Sequence, residues 1–478
     1  MQQLNIQDAG FIYQETRKTP MHISGLGVFD QSTSKHKRMN KAEVVAYIEE
    51  RIHLAPILKK RLKKVPYDLE RPYWVDDPKF DLRNHVFQLA LPEPGNKQQL
   101  SELVSYLITQ PLDMRKPLWE VYLIEGLNDF DGVGKGSFAM LTKIHHSCVD
   151  GASGNHLFAA LVDLVPNAEP RQATEPGLED EKMPGRYQML AQAYLHNLTG
   201  AVEQTLAVSR RLPKLVKMGV ELWQGKRDAG AKLVVPMTRF NRTPDRERAF
   251  GFTTYDLATI KAIKNAAGTT VNDVMVCIVA GALRRFLEHY GELPEQALGA
   301  MLPKNIRQGD EKNLQNGNRV GGLFVTMHTD IADAAERLLA INNSTQKAKQ
   351  FSDDADTDAI FPSLMGGFLY PRAGKAFARM TQRYHLMERL GPMVLNTVIT
   401  NVAGPDLDLY HAGARQYCFC GLPPLIDGVG ISHAVYSSQG KVTLAVVSCP
   451  QMIDDAEFYM QCCQDSFDEL VEAFPDED

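Results

Sequence analysis

The sequence contains no long apolar run. Nowhere do about 18 uncharged apolar residues follow one another, which is the length that a membrane-spanning helix needs. The first residues, MQQLNIQDAGFIYQ, also lack the basic segment and the apolar stretch of a secretory leader. We therefore expect a cytoplasmic protein that at most rests on the surface of a membrane or of a lipid inclusion.

Neither sign of charge is in large excess. The chain has 52 Lys and Arg against 58 Asp and Glu, which gives a net charge of −6. A protein that coats nucleic acid is strongly basic, so no nucleic-acid partner is predicted. With 44% apolar and 23% charged residues the composition is that of a globular protein. Composition alone does not predict an oligomeric state.

Cysteine is scarce and unpaired in its spacing. There are seven cysteines, an odd number, and none of them forms a CxxC motif. This pattern indicates a reducing compartment and argues against a zinc cage. The cysteine pattern therefore predicts no zinc site.

The length of 478 residues predicts two domains, because a single hydrophobic core rarely grows beyond about 250 to 300 residues. Strand-like and helical patterns alternate over residues 1–166, which predicts a mixed first half. Residues 167–232 begin with a charged, proline-containing linker and continue at helical spacing, which predicts connecting helices. Residues 233–478 form a second mixed half. The strongest strand patterns are HISGLGVF, WEVYLIEGL and SFAMLTKIHH in the first half, and ALGAMLPKNI, GGLFVTMHT, VLNTVITNV, GVGISHAVYSS and KVTLAVVSC in the second.

Two adjacent histidines end one of these predicted strands, in the sequence KIHHSCVDG. Successive side chains of a strand point to opposite faces, so His145 and His146 cannot both face one pocket. We expect one working histidine and one structural histidine. Two structural core histidines are the alternative, and a metal site is disfavoured because zinc helices place their histidines four residues apart. Asp150 could simply cap the helix that follows.

A helix with a well-defined start is predicted in the second half. Thr270 is a helix-capping residue, and Asp273 three residues later completes a capping box before the apolar run VMVCIVAGALRRFL. Asn272 therefore lies in the first turn, close to free backbone donors and to the positive end of the helix dipole. This position makes Asn272 a candidate donor to a negatively charged oxygen, with helix capping as the alternative role.

The motif HHSCVDG, residues 145–151, resembles the HHxxxDG motif of the bacterial wax ester synthase/acyl-CoA:diacylglycerol acyltransferase family. The resemblance runs nearly from end to end. Other matching segments are PMH at Pro20–His22, PLW at Pro117–Trp119, VNDV at Val271–Val274, MLPKNIR at Met301–Arg307 and TNVAGP at Thr400–Pro405. Leu302, Lys304 and Ala403 depart from the usual residues, which leaves the fine substrate preference open but does not change the family resemblance.

The resemblance implies an α/β (α+β) fold of two chloramphenicol acetyltransferase-like domains. Each domain is a mixed β-sheet flanked by helices, and the active-site tunnel lies at their interface. The implied activity transfers a long-chain acyl group from acyl-CoA to a long-chain fatty alcohol or to diacylglycerol. Acyl-CoA is a substrate in this reaction, and neither a metal nor a permanently bound cofactor is implied. Carrier-bound thioesters as donors, or a non-catalytic protein that binds lipid inclusions, are the alternatives.

The resemblance also implies roles for individual residues. His146 is the expected general base and His145 its support. Asp150 and Gly151 hold the loop, with Arg307 as the expected partner of Asp150. Asp273 is a structural residue of the second motif, and Asn272 is the candidate oxyanion donor. The substrate-binding residues are expected to be Pro117, Leu118 and Trp119, although a buried core tryptophan is the alternative for Trp119.

Two further segments are candidates for contact with lipid. Residues Ser209–Arg227 are basic and amphipathic and end near a tryptophan, which is typical of an interfacial helix, although a solvated connecting helix has the same composition. Residues Phe361–Tyr370 combine large apolar side chains with a Gly-Gly pair. They could border an acyl or alcohol channel, or form part of the core.

Overall fold

The computed structural model describes residues 2–34, 38–149, 161–166, 228–232, 234–305, 320–355, 371–390 and 395–475, together with residues 168, 185, 187, 189 and 190. The strands are β1 (Gln2–Gln3), β2 (His22–Asp30), β3 (Lys60–Lys63), β4 (Tyr73–Asp76), β5 (Val86–Ala90), β6 (Trp119–Leu127), β7 (Ser137–His145), β8 (Ala249–Asp256), β9 (Gly299–Asn305), β10 (Val320–Thr326), β11 (Thr397–Ala403), β12 (Tyr410–His411), β13 (Ala414–Leu422), β14 (Ile431–Ser438) and β15 (Lys441–Ser448). The helices are α1 (Ile6–Gln14), α2 (Lys41–Glu49), α3 (Lys97–Leu107), α4 (Leu257–Ala266), α5 (Val271–His289), α6 (Ala334–Ala355), α7 (Pro371–Tyr384), α8 (Leu386–Leu390) and α9 (Ala456–Ala473).

Two six-stranded sheets organise these elements. The first has the strand order β12-β13-β2-β7-β6-β5, and the second has the order β10-β9-β11-β14-β15-β8. Both are mixed, because β5 runs parallel to β6 and β11 runs parallel to β9 and β14, while the other pairs are antiparallel. A small sheet β1-β4-β3 accompanies the first half. The predicted fold class, mixed sheets flanked by helices, is confirmed.

The second half of the chain contributes to the first sheet. β13 pairs antiparallel with β2, from Arg415 opposite Asp30 to Leu422 opposite Ser24. The strands β12 and β13 therefore belong to the first sheet, although they come after the domain boundary predicted at residue 233. A strand exchanged in this way ties the two halves together through backbone hydrogen bonds.

Apolar side chains of the two halves also share a core. Leu26 and Leu141 from the first sheet lie in one buried cluster with Phe250 and Val447 from the second. A separate cluster surrounds α5, which is buried along most of its length. The predicted start of α5 is confirmed: Thr270 and Asp273 form a capping box, each side chain accepting a hydrogen bond from the other's backbone N–H.

Within the described ranges, no individual helix has both the length and the apolar character needed to cross a bilayer. The helices α4 and α5 pass that test only as a pair, and they meet at a bend of 98°.

Candidate active site

The adjacent histidines lie where β7 ends. β7 stops at His145, and His146 opens a short 3₁₀ turn that runs to Cys148. The strand is therefore one residue shorter than its pattern predicts. Backbone hydrogen bonds hold both residues, because the His145 N–H donates to the Leu118 carbonyl at 2.9 Å and the His146 N–H donates to the Met21 carbonyl at 2.8 Å. The two rings consequently enter different surroundings.

The His145 ring is fully buried and uses both of its nitrogens. Nδ1 accepts a hydrogen bond from the Ser147 backbone N–H at 3.1 Å and lies 2.7 Å from the Ser147 hydroxyl. Nε2 lies 2.9 Å from Oε2 of Glu15. Because Nδ1 accepts, Nε2 carries the hydrogen and donates it to the carboxylate. His145 is thus fixed in one orientation and one tautomer.

The His146 ring is available on part of its surface. It stacks on the Phe11 ring, with the centroids 3.9 Å apart and an interplanar angle of 16°. The residue as a whole is partly accessible to solvent, but its Nδ1 atom is buried. Burial of the ring lowers the pKa of His146 to about 4. A hydrogen bond to its own backbone opposes this shift, and the neighbouring His145 adds a smaller lowering effect. At neutral pH the imidazole is therefore uncharged and able to accept a proton.

The helix α1 supplies two residues that sequence patterns do not reveal. Phe11 stacks on His146, and Glu15, which follows the helix, binds His145. Glu15 also accepts a hydrogen bond from the Met21 backbone N–H at 3.1 Å, and the Met21 carbonyl accepts one from the His146 backbone N–H. No spacing rule connects residues about 130 positions apart, so nothing in the sequence marks this pair. The segment PMH at Pro20–His22 is the nearest indication, because its residues contact both histidines.

His22 belongs to the same layer. It lies opposite His145 in the pairing of β2 with β7, and its Nε2 donates to the Ile108 carbonyl at 2.9 Å. Burial, together with the nearby Lys143 ammonium and the adjoining His145, holds the pKa of His22 well below its ordinary value. It remains a neutral structural residue beside the histidine pair.

The PLW segment, Pro117–Trp119, contacts the end of β7, which carries the histidines. The Leu118 carbonyl receives the His145 N–H, and both Leu118 and Trp119 are buried. The Trp119 indole donates to the Leu58 carbonyl at 2.8 Å and stacks on His85, with the ring centroids 4.6 Å apart. Pro117 forms an isolated bridge with Arg61. Contact of Pro117, Leu118 and Trp119 with substrate stays a prediction.

The structure brings two predicted motifs of the second half together. Asn272, in the first turn of α5, is partly accessible, and its Oδ1 accepts a hydrogen bond from Asn401 Nδ2 at 3.3 Å. Asn401 belongs to the TNVAGP segment on β11. Asp273 is fully buried and accepts hydrogen bonds from Thr270 and, at 2.8 Å, from Asn342. Asp273 therefore stabilises the helix start, while Asn272 beside it is partly accessible.

A cleft of about 1080 Å³ opens between the two halves. Its walls come from α3, from residues 246–252 and from the start of α9. Gln110 lines this cleft, and its carbonyl accepts a hydrogen bond from the buried Lys143 at 2.8 Å. Lys143 lies two residues before His145 on β7, so the cleft approaches the strand that carries the histidines.

Several predicted residues lie outside the described part of the chain. These are Asp150, Gly151, Arg307 and the segments Ser209–Arg227 and Phe361–Tyr370. Within the described ranges, no group of three His, Cys, Asp or Glu side chains is arranged to hold a metal ion.

Comparison with known proteins identifies two matching domain families. Residues 4–275 match the wax ester synthase/diacylglycerol acyltransferase catalytic domain, and residues 316–471 match the C-terminal domain of the same proteins. A Mycobacterium tuberculosis protein assigned by name as a diacylglycerol O-acyltransferase is 30% identical over 481 residues, covering 100% of this chain and 91% of the relative.

Solved structures give the same result for the fold. The wax ester synthase/diacylglycerol acyltransferase from Marinobacter aquaeolei VT8 is 26% identical, with a TM-score of 0.68 and coverage of 99% of both chains. A starter condensation domain of rhizomide synthetase, solved as a mutant with C8-CoA and Leu-SNAC, has a TM-score of 0.54 at 14% identity and covers 99% of this chain and 95% of that one. The condensation domain therefore shares the fold.

Proposed function

Because the chain belongs to the wax ester synthase/diacylglycerol acyltransferase family and is therefore an acyltransferase, we propose that His146 is the general base of its reaction. The reaction transfers a long-chain fatty acyl group from acyl-CoA to a long-chain alcohol or to diacylglycerol. The observation that carries the proposal is the difference between the two histidines: His145 is fully buried and held by Glu15 and Ser147, whereas the neutral residue His146 is only partly buried.

In the proposed step one proton is transferred, one carbon–oxygen bond forms and one carbon–sulfur bond breaks. The acceptor hydroxyl gives its proton to the His146 imidazole while its oxygen bonds to the thioester carbonyl carbon. The carbon–sulfur bond then breaks, and the imidazolium returns the proton to the departing thiolate. The sequence predicts an imidazole with a pKa near neutrality, whereas burial lowers the pKa of His146 to about 4. A lower pKa weakens the base, but it makes the imidazolium a stronger acid for the return of the proton.

The direct transfer that we propose needs no acyl-enzyme, and the neighbouring side chains support it. The Ser147 hydroxyl lies 2.7 Å from Nδ1 of His145, on the structural histidine rather than on His146. Burial and the nearby Asp8 raise the pKa of the Cys148 thiol well above its ordinary value. A thiol that stays protonated is a poor nucleophile. Neither residue is therefore proposed to carry the acyl group.

The negative charge that develops on the thioester oxygen requires a hydrogen-bond donor. We propose Asn272, which is partly accessible and whose Oδ1 already accepts a hydrogen bond from Asn401, so that its amide nitrogen is the group that would donate to the oxyanion. The start of α5 adds the positive end of a helix dipole. The cleft between the halves is lined by Gln110, whose carbonyl binds Lys143 on the histidine strand, so we propose it as the route by which the thioester approaches that strand.

Product analysis tests the proposed activity against its two alternatives. The purified chain is given one long-chain acyl-CoA with hexadecanol and diacylglycerol in competition, and thiol release and lipid products are measured together. Wax ester or triacylglycerol that forms in step with free CoA supports the proposal. Transfer only from a carrier-bound thioester would favour a condensation-type enzyme, and no turnover would favour a non-catalytic lipid-binding protein.

The pH dependence of the reaction follows from the low pKa of His146. The neutral ring is the active base, so activity is retained above the folded-state pKa of about 4 and lost as the pH falls through it. We expect kcat/KM per folded molecule to stay nearly constant from pH 7.5 to 5.5. A base with an ordinary pKa of about 6.5 would keep only about one-tenth of its neutral form at pH 5.5. An inflection near pH 6.5, with the fold intact by circular dichroism, would contradict the assignment.

Replacement of Glu15 tests whether this residue supports the turn that carries the two histidines. Glu15→Ala leaves two buried donors, His145 Nε2–H and the Met21 N–H, without their acceptor. We expect the free energy of unfolding to fall by about 2 kcal/mol or more. Because the histidine turn loses its support, kcat should also fall by about tenfold while KM changes little.

Glu15→Gln is the matched control, because its amide oxygen can still accept one of these hydrogen bonds. It should recover most of the stability and part of the turnover. Equal kcat in all three proteins would show that Glu15 does not position the turn.

A further inference from the structure

The helix α7 presents its large apolar side chains outward. Met380 is 42% exposed and Tyr384 is 52% exposed, and Met387 on α8 continues the same side with 37% exposure. The inward positions are small or polar, since Gly374 and Thr381 are buried. An ordinary surface helix has the opposite arrangement, with its large apolar residues against the core. We call the outward residues Arg379, Met380, Arg383, Tyr384 and Met387 the α7 face.

The charges of this region have one sign. Arg379 and Arg383 are exposed beside Met380 and Tyr384, and Arg389 is exposed on α8. No acidic residue occurs from residue 371 to residue 387. The first acidic residue after this range is Glu388, whose carboxylate accepts a hydrogen bond from the Thr243 backbone N–H and lies 3.2 Å from Nδ1 of His385. The α7 face is therefore apolar and basic in a protein whose net charge is −6.

The inner side of α7 packs against α1, the helix that contacts the histidine turn. Gln382 donates to the Thr19 hydroxyl at 2.8 Å, and Lys375 pairs with Asp68 at 2.9 Å while lying 5.7 Å from the centroid of the Tyr13 ring. Tyr13 and Phe11 both belong to α1 but lie on different sides of it, and Phe11 stacks on His146. One layer of helix thus separates the α7 face from the proposed base.

We propose that the α7 face docks the protein on an anionic phospholipid surface. Helices that lie in the bilayer interface combine apolar side chains with flanking Lys or Arg, and each basic residue adds attraction to anionic headgroups. The inference deepens the proposed function and rests on it in one respect, because docking here would place the lipid surface, the source of an apolar acceptor, one helix away from His146. Binding to the lipid surface is itself independent of catalysis.

Charge also decides against a second copy of the chain as the occupant. A two-fold interface brings the same patch of each subunit together. It would set the arginines of one α7 face against those of the other, with no acidic residue of that face to compensate. Phospholipid headgroups supply the opposite charge and accommodate the apolar side chains at once.

Sedimentation with vesicles tests the electrostatic part of the proposal. The full chain is mixed with vesicles of phosphatidylcholine alone or of phosphatidylcholine with about one-third phosphatidylglycerol. We expect strong binding only to the anionic vesicles, and weaker binding as salt is added. The double variant Arg379→Gln, Arg383→Gln should bind about thirtyfold more weakly. The control double variant Lys261→Gln, Lys349→Gln removes two exposed lysines elsewhere and should bind as the unchanged chain does.

The apolar part has its own variant and control. Met380→Ser with Tyr384→Ser should weaken vesicle binding, whereas Leu339→Ser, at a residue of α6 that is 52% exposed, should not. Binding of the variants within twofold of the unchanged chain, or equal losses in variants and controls, overturns the proposal. Loss of an oligomer in the α7 variants, measured by light scattering, would overturn it in favour of a second copy.

Transfer activity and vesicle binding are measured separately, so a failure of the proposed function can be distinguished from a failure of the docking proposal. Transfer from a short-chain acyl-CoA to a water-soluble alcohol should be the same in the unchanged chain and the α7 variants, whereas use of diacylglycerol embedded in anionic vesicles should fall with binding. Absence of transfer in the unchanged chain contradicts the proposed function, while its vesicle binding still supports or overturns the docking surface.

Discussion

His146→Ala is expected to lower kcat by about 10² to 10⁴ while the protein stays folded, because positioned general acid–base catalysis contributes about that much to a reaction rate. The ring is not a main support of the fold: it stacks on Phe11 but remains partly accessible. The backbone N–H of residue 146, which binds the Met21 carbonyl, is retained in the variant. Steady-state release of CoA with hexadecanol as acceptor measures the effect, and circular dichroism with thermal unfolding measures the fold.

Cys148→Ala is the matched control for this variant, because Cys148 belongs to the same 3₁₀ turn. Its thiol is buried, so the substitution disturbs packing in the turn but removes no group that the mechanism uses. We expect turnover within a few fold of the unchanged chain. Near-normal turnover of His146→Ala, or a complete loss in Cys148→Ala with the fold intact, would refute the assigned roles.

Asn272→Ala is expected to reduce kcat by about 10² to 10³, which is the usual cost of losing one oxyanion donor. The substitution leaves the capping box of Thr270 and Asp273 in place, so the start of α5 should be preserved. Stability should therefore change little, while the loss appears in kcat with both alcohol and diacylglycerol acceptors.

Two neighbouring variants separate this role from helix capping. Asp273→Ala removes the partner of Thr270 and Asn342 and should lower the free energy of unfolding by about 2 kcal/mol or more. Asn401→Ala releases the Asn272 side chain and should reduce kcat by a smaller factor than Asn272→Ala. If Asn272→Ala instead lowers stability and leaves kcat unchanged, Asn272 is a capping residue and another donor must be sought.

Local features of this protein could be predicted from its sequence because they depend on neighbouring residues. β6 has the bounds Trp119–Leu127 that its pattern predicts, and the capping box at Thr270 forms as expected. The histidine strand ends one residue early, at His145, because the chain turns there to bring the His146 N–H to Met21. Alternation along a strand identifies neighbouring faces, but it does not specify where a turn begins.

Features that depend on distant residues could not be predicted. β13 pairs with β2 across nearly the whole chain, and no local pattern specifies that partner. Glu15 binds His145 and Phe11 covers His146 only because α1 folds against the 3₁₀ turn. The low pKa of His146 follows from this burial, so the sequence alone predicted an ordinary imidazole. Family resemblance gave the expected role of His146 but not the contacts that prepare it.

A structure of the protein with a long-chain alcohol and a non-reactive thioether analogue of acyl-CoA is the most direct test of His146 as the base. We predict that a ring nitrogen of His146 lies about 2.6–3.2 Å from the alcohol oxygen, or is joined to it by one water, while His145 stays bound to Glu15. An alcohol oxygen beyond that reach, with another side chain in hydrogen-bonding contact with the hydroxyl, would contradict the mechanism.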